Sequence, residues 1–181
     1  MKKKILVACL CVALAVLTIA GTTLAYLTAK TDAVVNTFTV GNIDITLTET
    51  TTNFKMVPGS TIAKDPKVTV KANSEACWLF VKVEESTNLD SFISYTIASG
   101  WTALTGVDGV YYREVAATTT DTSFDVLVNN QVTVKDTVTK PMMDAITNGT
   151  ANNPTLSFTA YAVQKSGVNT VADAWAKFST T

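Results

Sequence analysis

The sequence contains no histidine. That absence removes a Ser-His-Asp triad, a Cys-His pair and an HExxH zinc site together. Cysteine is scarce: Cys9 and Cys11 sit in an apolar N-terminal run, and Cys77 stands alone in the remainder. A single cysteine cannot close an internal disulfide. Cys77 lies in the run CWLFVKV, where a small buried hydrophobe is the expected role. Charged residues make up only 16% of the chain, with no basic stripe of the kind that binds nucleic acid. Gly100, Gly106 and Gly109 are followed by no Lys-Ser/Thr pair, so no phosphate loop is present. Glu84 and Glu85 are neighbours on a strand-like run and point to opposite faces, which suits them poorly to paired acid and base work. Asp121 and Asp125 lack the spacing and closing Glu of an EF-hand loop. No catalytic, cofactor or metal residue is therefore expected, and no enzymatic role.

What is present begins with a leader. Lys2, Lys3 and Lys4 precede an apolar run from Ile5 to Ala20, and Gly21-Thr22-Thr23-Leu24-Ala25 follows. Small residues at Thr23 and Ala25 suit the −3 and −1 positions of a signal peptidase site, with Tyr26 the new N-terminus. An uncleaved anchor is the rival reading, because no charge appears between Ile5 and Ala29. The strictly apolar part is nearer the length of a signal h-region. Leu6-Val7-Ala8-Cys9 matches a lipobox but sits too early in the apolar run to serve as one. Cleavage after Ala25 leaves 156 residues with eleven basic and fifteen acidic side chains, a charge of −4. The expected division is residues 1–25 as signal peptide, 26–41 as an N-terminal extension and 42–181 as one domain. The C-terminal WAKFSTT carries no sorting motif, so no covalent wall anchor is expected.

Threonine dominates the rest, with 29 of the 32 threonines beyond residue 25. A β-branched, uncharged polar side chain suits the wet face of a strand. Period-2 alternation runs through Ile43–Thr48, Val68–Ala72, Trp78–Glu84, Phe124–Val128 and Leu156–Val163. Turn chemistry separates these runs at Pro58-Gly59-Ser60, Asn73-Ser74, Asp108-Gly109, Asn129-Asn130 and Asn152-Asn153-Pro154. Asn148-Gly149-Thr150 fits a glycosylation sequon, but a helix-stopping turn is the favoured reading. Two segments carry helical spacing: Pro141–Ile146, with Pro at a first helical position, and Val171–Phe178, whose Val171, Ala174, Trp175 and Phe178 share a face. The expectation is an all-β, two-sheet, jelly-roll-like sandwich with short peripheral helices. Trp101, Tyr111 and Tyr112 could form a surface binding patch for sugar rings, as on a monomeric cell-surface adhesin, or could belong to the core.

The stretch TLAYLTAKTDAVVNTFTVGNIDITL resembles the N-terminal region of the TasA/camelysin family of exported biofilm fibre proteins. Ala25-Tyr26-Leu27-Thr28 holds the cleavage-site part of that pattern, and Asn36-Thr37-Phe38-Thr39-Val40-Gly41-Asn42-Ile43-Asp44-Ile45 holds the second part. Pro58-Gly59 is similar to the family's Pro-Gly turn, and Ala160-Tyr161-Ala162-Val163-Gln164 with Ala174-Trp175 to a C-terminal signature of related members. The departure is Leu27-Thr28-Ala29, where many members carry Phe and a nearby Asp. The resemblance implies a jelly-roll domain from a Gram-positive bacterium, exported and cut by a SipW-type signal peptidase. It implies a secreted subunit of matrix fibres at the cell surface that contacts the membrane only through its leader. Its partners would be further copies of itself and an accessory matrix protein. In the family the new N-terminal segment completes the sheet of the next subunit. Here that segment would be Tyr26–Phe38, with Tyr26, Leu27, Val34, Val35 and Phe38 as its anchoring side chains. Some relatives carry a metalloprotease label, to which a chain without histidine lends no support. N-terminal sequencing of the exported protein should return Tyr26 as the first residue; a start at Met1 would identify the uncleaved anchor instead.

Overall fold

The computed structural model describes residues 41–51, 54–146 and 152–178. The leader and its cleavage site, the segment Tyr26–Phe38 and the sequon at Asn148 lie outside the described residues. Ten strands account for most of the regular structure. In chain order they are β1 (Ile45–Thr48), β2 (Thr61–Ala63), β3 (Lys67–Val70), β4 (Cys77–Glu85), β5 (Ile93–Ser94), β6 (Thr102–Ala103), β7 (Val110–Val115), β8 (Thr122–Asp125), β9 (Gln131–Val134) and β10 (Leu156–Gln164). Two short helices, α1 (Lys140–Asp144) and α2 (Val171–Ala176), lie among them. The strands form three antiparallel sheets, ordered β10-β4-β7-β6, β1-β3-β8 and β2-β9-β5. The fold is an all-β sandwich, as the alternation implies.

Strand β4 is the centre of the largest sheet. Its residues from Cys77 to Val81 are all buried, so it is apolar on both faces. On one face Cys77, Leu79 and Val81 meet Val68, Val70, Trp101, Val115 and Val126 in the main core between this sheet and the β1-β3-β8 sheet. On the other, Trp78 and Phe80 form a second cluster with Leu104, Val110 and Ala174. Helix α2 covers this second face. Thr170 caps it, its side-chain oxygen accepting from the Asp173 N–H at 3.1 Å. Trp175 lies 5.3 Å from Phe80 and 5.4 Å from Tyr161 between ring centroids, and Phe178 completes the stack 6.0 Å from Phe80. The helical spacing of Val171–Phe178 thus places its apolar face as expected, although the helix itself ends at Ala176.

The two smaller sheets behave as one bent sheet. The chain lengths 61–70 and 122–134 pair with each other twice, as β2 with β9 and as β3 with β8. Between these ladders, residues 64–66 on one side oppose residues 126–130 on the other, leaving two residues in excess. Asn129 and Asn130 absorb the excess at φ of 55° and 52°, a left-handed region that Asn tolerates. Lys64 fills the break. It is 7% exposed, its ammonium 2.5 Å from Glu49 Oε1 and over the rings of Phe54 and Phe158 at 5.2 and 5.4 Å. This break corrects the reading of Phe124–Val128 as a single alternating strand. Strand β8 stops at Asp125, and Val126 and Leu127 are both buried, Val126 in the main core and Leu127 in a third cluster with Leu89, Phe92, Val132 and Val134. Two adjacent residues point into different cores because the chain is crossing from one sheet to the next. Val128 is 38% exposed.

Phe80→Ala should cost about 3–5 kcal/mol, since its side chain is fully buried among aromatic rings. Val128→Ala should stay within about 0.5 kcal/mol. Urea denaturation of the two variants checks both.

Candidate functional site

The aromatic residues singled out by the sequence do not share a surface. Trp101 is 8% exposed and its indole N–H donates to the Asp125 carbonyl at 2.9 Å. Tyr111 and Tyr112 are consecutive on β7 and face opposite sides of the sheet, Tyr111 against the main core and Tyr112 against the α2 cluster. Tyr111 lines a hollow of about 510 Å³ together with Tyr95 and Glu85, in which Trp101 has no part. The Tyr95 hydroxyl donates to Glu85 Oε1 there. Burial, reinforced by that bond, raises its pKa above the ordinary phenol value.

The carboxylates are dispersed. Glu84 pairs with Lys82 at 2.7 Å while Glu85 serves Tyr95, on opposite faces as their adjacency requires. Asp121 accepts from the Ala72 N–H at 2.9 Å and pairs with Lys71 at 2.9 Å, and these bonds hold its carboxyl below the usual value. Asp125 pairs with Lys67 at 3.4 Å. Among the described residues no three His, Cys, Asp or Glu side chains come together in a group that could hold a metal. Cys77 is fully buried, and burial pushes its thiol up to about 11.

The feature that stands open is a sheet edge. Strand β10 pairs with β4 along nine residues and has no strand on its other side among the described residues. The Ser86 N–H donates to the Thr155 carbonyl at 3.0 Å at one end of this ladder, and the Lys165 N–H to the Ala76 carbonyl at 2.8 Å at the other. Hydrogen-bonded pairs alternate in an antiparallel ladder. The register therefore turns the N–H and C=O groups of Leu156, Phe158, Ala160, Ala162 and Gln164 away from β4. Opposite β10 across the main core lies β1, also at the end of its sheet. The Lys71 N–H bond to the Asp44 carbonyl at 2.9 Å sets its phase, so Ile45 turns its backbone outward as well. Two open edges thus flank one mouth of the sandwich, lined by the half-buried Ile45, Leu47, Ala160 and Ala162. Gly41, where the described chain begins, lies at one end of it: a Cβ there would sit 3.2 Å from Glu75 Cγ and 3.5 Å from Gln164 Oε1. The alternation of β10 was readable in the sequence. The side from which it lacks a partner was not, because side-chain period reports faces and not edges.

An all-β sandwich with an open edge beside its N-terminal entry is the class these observations define. Residues 1–84 match the family model described as Camelysin metallo-endopeptidase. The match runs from Met1 to Glu84 in β4; it contains the N-terminal stretch and the Pro58-Gly59 turn that carry the TasA/camelysin resemblance, but not Ala160–Gln164 or Ala174-Trp175. No curated protein and no solved structure gives a match. The family description implies a metal. The residues present do not suit one: the chain offers no imidazole, its only described thiol is buried and protonated, and its described carboxylates are scattered. Among the described residues no helix is long and apolar enough to cross a membrane.

A thiol raised to about 11 stays protonated at neutral pH. Iodoacetamide at about pH 8 should leave Cys77 unmodified in the native protein and alkylate it fully in denaturant, as intact-mass spectrometry will read.

Proposed function

We propose that this protein is a secreted structural subunit of extracellular matrix fibres, in which the N-terminal segment Tyr26–Phe38 of one copy adds a strand to the next. The family match supports a matrix-type protein at the level of the family. The observation that carries the finer reading is the nine-residue edge of β10, which no strand among the described residues covers. Unpaired strand edges are templates for another strand, and proteins that keep them long and uncharged use them. The outward-turned residues Leu156, Phe158, Ala160, Ala162 and Gln164 carry no charge and no proline. The segment Tyr26–Phe38 has thirteen residues, enough to span the edge, and it is rich in Thr and Val.

Donation between copies has a geometric advantage over self-pairing. The segment leads into Gly41, beside Gln164 at the end of β10. To lie along its own β10 it would have to run parallel to that strand and then reverse within a few residues to enter β1. A segment from another copy is free to pair antiparallel, which is the more stable arrangement. Such a contact is head-to-tail and does not close, so it yields filaments. A SipW-type signal peptidase would release the segment by cutting after Ala25, and an accessory matrix protein would be a further partner.

The purified exported protein should form filaments visible by electron microscopy. Removing Tyr26–Asn36 should abolish them and leave the domain folded. Ala160→Pro removes one N–H that β4 does not use, so it should spare the fold and slow filament growth about tenfold, the worth of one backbone hydrogen bond. Thr159→Pro, whose N–H faces β4, should destabilise the domain itself. An unmodified chain that stays monomeric for days at high concentration would sink the fibre reading.

A further inference from the structure

The chain holds a single arginine, Arg113, on β7. The seven ion pairs among the described residues are all made by lysines. No described carboxylate pairs with Arg113, and its Nε is buried without an acceptor among the described residues. Its guanidinium lies over two rings instead, its Cζ 3.8 Å from the Phe124 centroid and 5.3 Å from that of Trp101. Trp101 is fixed in turn by its bond to the Asp125 carbonyl. The loop beside it leaves room for the head group: at Gly100, with φ of +86°, a Cβ would come within 3.0 Å of Arg113 Nη2.

These contacts hold the guanidinium in place, and among the described residues no acceptor fills its hydrogen-bonding fork. Desolvation opposes its charge, but a guanidinium remains protonated throughout the working pH range. A planar cation held against two aromatic rings, with its donors unfilled, matches a carboxylate that can accept two parallel bonds. The complement is present in the same chain. Asp44, Glu75, Asp108 and Asp136 are exposed and make no ion pair among the described residues. Among the described residues the guanidinium and these carboxylates stay unpaired, and a contact between copies would pair them.

We propose that the Arg113 fork, held against Phe124 and Trp101, is a binding site for a carboxylate side chain of a second copy of this chain. The occupant rests on the self-assembly reading above; the ligand chemistry rests on the Arg113 geometry alone. Arg113 lies on the β7–β8 side of the sandwich, away from the β1–β10 mouth, so this is a second contact and not part of the strand addition.

The test uses the exported protein, isotopically labelled and held below the concentration at which filaments form. Sodium acetate is titrated against sodium chloride at equal ionic strength, following the Arg113 Nε–H and Trp101 indole N–H resonances by NMR. Filament growth is measured in parallel for the unmodified chain, Arg113→Gln and Arg113→Lys. Acetate should move both resonances beyond the chloride control and slow filament growth severalfold in the unmodified chain. Arg113→Gln should lose the acetate response and grow severalfold more slowly, with Arg113→Lys intermediate because a point cation lacks the fork. No acetate-specific shift overturns the site. A normal acetate response with unchanged growth of Arg113→Gln filaments overturns the second copy as occupant. So does galacturonate acting at far lower concentration than acetate, which would assign the fork to an acidic sugar. If the unmodified chain never assembles, the fibre reading and the occupant fall together, while the acetate titration still decides the ligand chemistry. If Arg113→Gln does not fold, an acetate response in Arg113→Lys equal to that of the unmodified chain overturns the fork.

Discussion

Everything in this fold is arranged around a strand that cannot face water on either side. From Cys77 to Val81, β4 is buried residue by residue. An antiparallel strand of that kind needs a sheet on one face and something else on the other. The bent sheet built on β1, β3 and β8 supplies the first cover, and α2 with its Trp175 and Phe178 supplies the second. The short helix has little intrinsic stability of its own; the aromatic face it lays on Phe80 and Tyr161 is what holds it.

Burying β4 fixes the rest by exclusion. With β7 on one side and β10 on the other, the largest sheet can grow only outward. On the β7 side the hairpin to β6, the indole of Trp101 and the guanidinium of Arg113 close the gap to β8. On the β10 side the described chain supplies no such closure. The asymmetry is not a matter of hydrophobicity, since both sides border the same core. It lies in which edge has been given a plug.

Much of this was legible from residue order, and the exceptions have a common cause. The long alternating runs β3, β4 and β10 announced themselves, and the period-3.6 run at Val171 and the Pro at 141 marked both helices. Cys77 was readable as core from its neighbours. The two- and three-residue strands β2, β5 and β6 were not, because so few residues hold no period to detect. Val126–Leu127 misled for the opposite reason: alternation continues through a crossover that changes cores. The edge of β10 and the setting of Arg113 depend on partners distant in sequence. No local pattern encodes them. Trp101, read from composition as a surface residue or a core one, is resolved by a single bond to a carbonyl 24 positions away.

The residues of β10 that turn their backbone outward are the same ones whose side chains enter the sandwich. Phe158, Ala160 and Ala162 pack in the main core, and Leu156 in its neighbour. Whatever strand engages those amides therefore grips the interior of its host as well as its rim. By mass action, occupancy of the edge and resistance of the domain to heat become one equilibrium seen from two ends. A subunit within a polymer would then be a more durable object than the same subunit free, and its survival would report how much of the edge is filled.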